Sequence, residues 1–229
     1  AEMCRAHNLL FIGPPARQLE LLGDKVRAKE VMRTAGVPVI PGRGAVSSHA
    51  ELAEAAEELG YPVLIKATLG GGGIGLRLAR DQGELLRGFD EVRAQVRAAF
   101  QADGVYLEKY LRPIRHIEVQ VLGDSFGSLV HCGERECSLQ RRHQKLLEEC
   151  PSPAVSGPLR ASLTAAALKA AEAVGFCGTG TVEFLLDEAG DFYFLEVNPR
   201  LQVEHPVTEL VYGLDLVREQ IRLAAGEPL

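Results

Sequence analysis

The sequence predicts an α+β protein of two units with mainly antiparallel sheets, divided near residue 110. Two observations predict this fold class. Short apolar segments bounded by turn residues follow one another, as the strands of antiparallel sheets do. Segments with helical spacing and clear start and stop signals lie between them. We expect residues 1–38 to be the end of a preceding α/β domain and a linker helix, 39–110 to form the first unit, and 111–229 the second.

The first half of the chain contains patterns for both strands and helices. LLFIGPP predicts a short strand that runs into a turn, and residues 23–35 predict a helix. Ser48 and Glu51 form a predicted capping box at the start of the next helix. Strands are predicted at YPVLIKA and LRLAR, on either side of LGGGGIG. A helix over residues 84–100, carrying Phe100 in its apolar face, and a strand at VYLEKYL complete this unit.

The second half begins with predicted strands at HIEVQVL and SLVHCG, followed by the polar segment ERECSLQRRHQKLLEE. A helix is predicted from about Pro158 to Val174, and proline suits its first turn. Strands TVEFLLD and FYFLEVN flank the turn EAGD. The chain closes with PRLQVEHPVTE and a helix at DLVREQIRLAAG.

Composition excludes several classes of function. A net charge of −6 disfavours a nucleic acid or an anionic membrane as partner, and no apolar run approaches the ~20 residues of a membrane span. The five scattered cysteines predict no disulfide framework, and so a reducing compartment: the cytoplasm or, in a eukaryote, the mitochondrial matrix. The spacing of His131, Cys132, Cys137 and His143 disfavours a zinc site.

The glycine-rich segment at 70–75 lies between two predicted strands. Glycines this dense lose much backbone entropy on folding, and a flap whose bare amides approach phosphate oxygens would explain them. A flexible surface hairpin is the alternative. A P-loop or a dinucleotide fingerprint requires a helix after the glycines, whereas a strand follows here. Lys66, at the end of the preceding strand, would place an ammonium beside the phosphates.

The hairpin around EAGD brings two carboxylates together. If these four residues form the turn, Asp187 pairs with Phe192. Counting back from that pair puts Glu183 opposite Glu196, with Asn198 on the same face. Carboxylates opposed at roughly 5 Å repel each other unless a cation lies between them, and a hard divalent ion with an amide oxygen as third ligand would remove the repulsion. A register slip of one residue would leave only an incidental pair.

The segments ECSLQRRHQK and NPRLQVEHP concentrate polar and basic residues in an otherwise acidic chain. Such a cluster marks a site for an anion, although a solvated surface is the alternative for any single charge. Arg200 and Gln202 share a face if their segment is extended, so that both would hold one small planar anion. Glu204, nearby, would act as a proton acceptor.

Several motifs carry a family resemblance: KATLGGGGIG, YLEKYL, RHIEVQV, ERECSLQRRHQK, EFLLD, FLEVNPRLQVEHPVTE and AAGEPL. They resemble biotin carboxylase, an ATP-grasp enzyme that occurs in acetyl-CoA, propionyl-CoA, methylcrotonoyl-CoA and pyruvate carboxylases. The resemblance covers essentially the whole chain, and CSLQRRHQK and NPRLQVEHPVTE are its most specific parts. It implies an ATP-grasp fold, in which two α+β subdomains with mainly antiparallel sheets hold the nucleotide between them.

The resemblance also implies a role for each matching residue. The ATP-binding residues would be Lys25, Lys66, Gly71, Gly72, Gly73, Glu108, Lys109, Leu111, His116, Gln140 and His143, with the backbone at Lys109 and Leu111 meeting the adenine. Magnesium or manganese would be held by Glu183, Glu196 and Asn198. Bicarbonate would be bound by Lys145, Arg200, Gln202 and Val203. The catalytic residues would be Lys145, Arg200, which would also steady the enolate of biotin, and Glu204, the base.

The implied reaction has two parts. Bicarbonate attacks the γ-phosphate of ATP to give carboxyphosphate, and biotin on a carrier protein or domain captures the carbon dioxide that this releases. A carboxyltransferase subunit would be a further partner, and the full-length enzyme would be a homodimer.

Two departures from the family pattern change what we expect of this chain. Ile74 stands where the family has a basic residue in the flap, which predicts weaker ATP binding. The family's enzyme also has an amino-terminal α/β domain and a segment after AAGEPL that are absent from this sequence. A truncated ATP-binding module without turnover is therefore an alternative to a catalytic core. Carbamoyl-phosphate synthetase, which activates bicarbonate but lacks RLQVEHP, is a further alternative.

Overall fold

The computed structural model describes residues 1–68, 75–101, 104–112, 114–142 and 144–229, except for the Phe100 side chain. Its helices are α1 Glu2–Ala6, α2 Ala16–Gly23, α3 Lys25–Thr34, α4 His49–Leu59, α5 Gln82–Phe100, α6 Gly157–Ala173, α7 His205–Tyr212 and α8 Leu216–Ala224. Its strands are β1 Gly42–Val46, β2 Val63–Ala67, β3 Leu76–Ala79, β4 Val105–Lys109, β5 Ile114–Gly123, β6 Leu129–Arg141, β7 Gln144–Glu149, β8 Gly178–Asp187 and β9 Phe192–Asn198. The predicted glycine flap, including Ile74, lies outside the described residues.

The strands form two sheets, which confirms the predicted α+β class. The first has the order β1-β4-β2-β3 and the second the order β7-β6-β5-β8-β9. Neighbouring strands within each sheet are antiparallel. Strands that follow one another in the sequence are neighbours at β5–β6, β6–β7 and β8–β9 of the second sheet, whereas α4 and α5 lie between strands of the first sheet along the chain.

The first sheet packs against α4 and α5. Leu85, Phe89, Val92 and Val96, the predicted apolar face of α5, are at most 1% exposed and belong to one core cluster with β2 and β4. Burial of each such side chain contributes about 1.5–3 kcal/mol. The capping box at Ser48 is confirmed in part, because its hydroxyl accepts from the backbone N–H three residues later, while the returning carboxylate bonds to the preceding residue.

The second sheet packs one face against α6 and α3. Ile117, Val119 and Val121 of β5 alternate into this core together with Val182 and Phe184 of β8. Since side chains alternate across a strand, the polar residues between them point to the other face, toward the first sheet. That alternation places the candidate site between the two sheets.

One sequence prediction about local structure was wrong, and the structure defines two other parts of the chain more closely. Residues 9–15, predicted as a short strand that runs into a turn, are irregular and largely exposed. The helix predicted over 23–35 begins at Lys25, because the Asp24 side chain accepts from the Val26 and Arg27 amides at 3.0 and 3.1 Å and so starts a new helix after α2. The polar segment after SLVHCG is the long hairpin of β6 and β7.

Candidate active site

A cavity of about 1120 Å³ lies between the two sheets. Strands β2 and β3 line one side, and β5 to β9 line the other. It brings together Lys25, Lys66, His116, Gln140, Lys145, Glu183, Glu196, Asn198, Arg200, Gln202, Val203 and Glu204, all predicted site residues. In the described part of the chain, Glu108, Lys109 and Leu111 do not line it. Gly71, Gly72, Gly73 and His143 lie outside the described residues.

Glu183 and Glu196 lie directly opposite each other, as predicted, but the pairing near the turn differs from the prediction. Leu186, rather than Asp187, pairs with Phe192. The turn therefore starts the ladder one residue out of the expected register. Such a slip, continued along the hairpin, would move every following side chain of β9 to the opposite face.

A β-bulge in β9 restores the register. The pairing shifts by one residue between Phe184 and Glu183, so that Leu195 is an extra residue in β9. Without it, Glu196 would lie opposite Val182 and face the core. With it, both bulge residues line the cavity.

Glu183 is only 4% exposed and accepts hydrogen bonds from four side chains. His116 Nε2, Lys145 Nζ and Asn198 Nδ2 each lie 2.9 Å from its oxygens, and Gln202 Nε2 lies at 3.1 Å. Burial alone would raise the pKa of Glu183, but the hydrogen bond from His116 and the charge of Lys145 hold this pKa well below its usual value. The carboxylate is therefore ionised at neutral pH.

The predicted metal ligands have the chemistry that a hard divalent cation requires. Glu183, Glu196 and Asn198 present carboxylate and amide oxygens on one wall of the cavity. Glu196 lies 3.3 Å from Lys25 Nζ, and Lys145 contacts Glu183, so lysine ammonium groups balance the two carboxylates in the structure. The residues therefore fit magnesium or manganese.

Lys145 is enclosed by three carboxylates. Its Nζ donates to Glu118 at 2.5 Å, Glu204 at 2.6 Å and Glu183 at 2.9 Å. Burial would lower the pKa of Lys145, but the charges of Glu118 and Glu183 raise it well above its usual value. This lysine stays an ammonium at neutral pH, which suits it to bind an anion rather than to act as a base.

Glu204 is the carboxylate of this group that suits proton transfer. Burial would raise its pKa, but the hydrogen bond from Lys145 lowers it below the usual value. Glu204 also lies at the start of α7 and lines the cavity. It is therefore an ionised acceptor beside a fixed cation.

The segment after β9 is not extended, contrary to the prediction that placed Arg200 and Gln202 on one face. It is irregular, with Gln202 buried against Glu183, Arg200 exposed, and Val203 89% exposed. The Arg200 guanidinium bonds to the Leu201 carbonyl at 3.2 Å. A turn, rather than alternation, brings both side chains to the cavity.

Lys66 belongs to a buried lysine–glutamate cluster. Its Nζ donates to Glu108 at 2.5 Å, and Lys29 pairs with the other oxygen of this carboxylate, which is 1% exposed. Burial, with the nearby charge of Lys25, lowers the pKa of Lys66 to about 8, and burial lowers that of Lys29 well below its usual value. The sequence reasoning missed Lys29, although its four-residue spacing from Lys25 placed both on one helix face.

The adenine hinge stays a prediction, and the structure limits which backbone group of Lys109 is available for it. The Glu108 side chain is buried and pairs with Lys29 and Lys66 instead of lining the cavity. The Lys109 amide already donates to the Pro41 carbonyl at 2.8 Å, and its ammonium bonds to the Gly60 carbonyl at 2.9 Å. A base contact from Lys109 would therefore use its carbonyl. Tyr110 lines the cavity at this point.

His116 and Gln140 form a relay to the carboxylate pair. The Gln140 amide nitrogen lies 2.8 Å from His116 Nδ1, and His116 Nε2 lies 2.9 Å from Glu183. Because the amide donates to Nδ1, the proton of a neutral imidazole is on Nε2, where it can bond to the carboxylate. Both residues line the cavity as predicted.

The sequence reasoning missed Glu118 and Arg135, which lie opposite each other on β5 and β6. Both are fully buried and joined by a 2.5 Å ion pair. A signal was present in HIEVQV, where polar residues alternate with apolar core residues. Such a pattern in a strand covered on both faces indicates a buried polar network.

Fold and site define an ATP-grasp protein. The chain matches, over residues 24–229, the family described as carbamoyl-phosphate synthase L chain, ATP binding domain, and it belongs to that family. It is 55% identical over 229 residues to chloroplastic biotin carboxylase of Arabidopsis thaliana, and 53% identical over 230 residues to biotin carboxylase of Nostoc. These alignments cover 100% of the chain and 43% and 52% of the relatives, so the chain spans about half their length.

Solved structures agree with this assignment. The biotin carboxylase–β-γ-ATP complex of Campylobacter jejuni superimposes with a TM-score of 0.98 at 48% identity, over 100% of this chain and 51% of that one. The biotin carboxylase domain dimer of Hydrogenobacter thermophilus 2-oxoglutarate carboxylase, solved with MgADP, ADP and bicarbonate, gives 0.97 at 47% identity, with the same coverage of 100% and 51%. The expected ATP-grasp fold is therefore confirmed. No helix in the described ranges is both long and apolar enough to cross a bilayer.

Proposed function

We propose that the chain is the catalytic core of a biotin carboxylase, which uses ATP and bicarbonate to carboxylate biotin on a carrier protein or domain. The observation that carries this proposal is the enclosure of Lys145 by Glu118, Glu183 and Glu204. A permanently charged ammonium beside an ionised base and a buried amide fits a small anion that must lose a proton. The solved relative with bicarbonate supports the choice of that anion.

ATP would lie with its phosphates near Lys25 and Lys66, whose ammonium groups reach the cavity from α3 and β2. One relative is solved as a β-γ-ATP complex and another with MgADP, which supports a nucleotide here. Glu183, Glu196 and Asn198 would hold magnesium or manganese, which when bound neutralises phosphate charge. His116 and Gln140 would contact the nucleotide from β5 and β6, and the glycine flap would cover it.

Bicarbonate would be bound by Lys145, Arg200, Gln202 and the backbone of Val203. Glu204 would take the proton of bicarbonate. A bicarbonate oxygen would then attack the γ-phosphate of ATP, with ADP as the leaving group, and give carboxyphosphate. Two sheets that enclose the cavity would limit the water that reaches this labile species. Carboxyphosphate would then split into carbon dioxide and phosphate. The phosphate would take the proton of the ureido nitrogen of biotin, and this nitrogen would attack the carbon dioxide, with Arg200 beside the enolate.

The partners follow from the same proposal. The chain would act with a biotin carboxyl carrier and a carboxyltransferase subunit as the first half-reaction of an acyl-CoA carboxylase, such as the acetyl-CoA carboxylase of fatty acid biosynthesis. The Hydrogenobacter domain dimer supports a homodimer. All five cysteines are free thiols in the structure, which supports a cytoplasmic location.

The test is ATP hydrolysis by this chain with Mg-ATP, bicarbonate and free biotin. We expect phosphate release that depends on bicarbonate, and a loss of about 100-fold in Glu204→Gln, because the proton acceptor is removed. Glu188→Gln, at an exposed turn carboxylate, is the matched control and should keep the wild-type rate. Nucleotide binding without any bicarbonate-dependent hydrolysis would favour the truncated ATP-binding module, and no heat with Mg-ATP would reject both.

The description of the matching family favours one second candidate, a carbamoyl-phosphate synthetase. It would share bicarbonate activation but use ammonia. Addition of ammonium in place of biotin separates the two, since only the synthetase would then form carbamoyl phosphate. We expect no such product.

A further inference from the structure

Arg135 of β6 is 0% exposed, and each N–H of its guanidinium has an acceptor. A guanidinium carries five N–H donors in one plane. The acceptors, with their distances, are Glu118 (2.5 Å), Thr208 (2.8 Å), Gln120 (2.9 Å), Thr181 (3.3 Å) and Gln202 (3.3 Å). One side chain thus connects β5, β8, the segment after β9, and α7.

We propose that Arg135 is a positioning residue for the anion site: it fixes the Gln202 amide directly and the Lys145 ammonium through Glu118. The proposal rests on the function proposed above. Arg135 does not line the cavity in the described structure, so it acts through these neighbours and not on substrate.

The first connection sets the orientation of Gln202. Arg135 can only donate, so it requires the amide oxygen of Gln202 on its side. The amide nitrogen is then turned to Glu183, at 3.1 Å. Without Arg135 the amide could rotate by half a turn and present its oxygen to the carboxylate. The residue would then repel an anion instead of donating to it.

The second connection passes through Glu118. One of its oxygens accepts from Arg135 Nε and the other from Lys145 Nζ, both at 2.5 Å. The guanidinium therefore determines where this carboxylate holds the lysine. A third contact, from Arg135 to Thr208, anchors α7, and Glu204 is the residue directly before this helix.

Arginine is required because lysine has three donors on a single atom and cannot reach acceptors spread over a plane.

A purely structural role for Arg135 is the competing explanation, and a second arginine–glutamate pair in the molecule provides a control. Arg160 of α6 forks onto buried Glu134, the neighbour of Arg135 in β6, with bonds of 2.7–3.0 Å. Because neighbours in a strand point to opposite faces, this pair contacts the helix side and not the cavity.

The experiment compares Arg135→Lys with the control Arg160→Lys in bicarbonate-dependent ATP hydrolysis. We expect Arg135→Lys to raise the KM for bicarbonate about tenfold or more, since a small displacement of binding groups costs this much, and to leave the KM for ATP within about twofold. Arg160→Lys should change neither KM. In the Gln202→Ala background, Arg135→Lys should raise the bicarbonate KM by less than it does alone, because the contact with Gln202 is already lost and only the connection through Glu118 remains.

A measurement that needs no turnover distinguishes failure of the proposed function from failure of the proposed role of Arg135. The side-chain amide of Gln202 gives an NMR signal that its loss in Gln202→Ala assigns. In Arg135→Lys this signal should move and exchange faster with water, while Arg160→Lys leaves it in place. An inactive wild type would refute the proposed function, and this spectrum would still test the positioning of Gln202.

Thr208→Val is the alternative variant if Arg135→Lys does not fold, because this substitution removes one acceptor of Arg135 and keeps the guanidinium. It should raise the bicarbonate KM by a few fold and shift the Gln202 signal in the same direction. The proposal is overturned if folded variants leave the bicarbonate KM and the Gln202 signal unchanged, or if Arg160→Lys raises the bicarbonate KM as much as Arg135→Lys does.

Discussion

Glu183 and Glu196 face each other across two antiparallel strands because β9 contains one more residue than β8 between the turn and the pair. The turn is out of the simple register by one residue, and the bulge at Leu195 corrects it. Bulges of this kind redirect side chains at sites of function. Here the redirected side chain is one of two carboxylates proposed to hold the metal.

Two single-residue deletions test the bulge. Deletion of Leu195 leaves Glu196 opposite Glu183 in a regular ladder, so we expect Mg-ATP affinity within a few fold of wild type. Deletion of Glu196 also removes the bulge but puts Leu195 in that position, and affinity should fall about tenfold or more because a ligand is lost. Calorimetry with Mg-ATP measures both. Equal affinities in two folded deletion variants would contradict the assignment.

Nucleotide binding should weaken at high pH because of Lys66. Its pKa of about 8 is lowered by burial and by the charge of Lys25, against the opposing charge of Glu196. A lysine is charged below its pKa, so affinity for Mg-ATP should be constant near pH 7 and fall above about pH 8, by at most tenfold per unit.

The variant Lys66→Arg is the control for this prediction. Its guanidinium stays charged throughout the range, so the fall above about pH 8 should disappear. Binding titrations at a series of pH values measure the Mg-ATP affinity of both proteins. A wild-type affinity that is constant up to about pH 9.5 would exclude Lys66 as the titrating contact.

Glu108 should be a major determinant of stability, although it does not line the cavity. Glu108→Gln leaves the buried ammonium groups of Lys29 and Lys66 without their carboxylate, and the free energy of unfolding should fall by about 3–5 kcal/mol. Glu91→Gln breaks an exposed pair with Arg77 and should cost about 1 kcal/mol or less. Urea denaturation compares them, and similar costs would mean that the buried cluster is not stabilising.

The flap position Ile74 gives a prediction that comes from the sequence alone. Ile74→Arg restores the basic residue of the family pattern and should tighten ATP binding about tenfold, as one charge-assisted contact to a phosphate would. Ile74→Met keeps the position apolar and should have no effect. Unchanged affinity in Ile74→Arg would show that the flap acts through its backbone amides.

Much of the fold and of the candidate site was predictable because local patterns identified both. The apolar spacing of Leu85 and Phe89 determined a helix face, and the facing carboxylates were found by counting from a hairpin turn. That count reached the right pair through two compensating differences, a shifted turn register and an added bulge. Sequence spacing does not reveal bulges, because one extra residue leaves the polar and apolar composition of a strand unchanged.

The sequence by itself determined which residue types are present for the chemistry, the antiparallel strands that carry them, and the family to which they belong. Only the tertiary structure decided that Glu118 and Arg135 support Lys145 and that Lys29 shares a carboxylate with Lys66. The reason is physical. Local propensity is encoded over a few neighbouring residues, whereas the burial that sets charge pairing and pKa depends on segments distant in the chain.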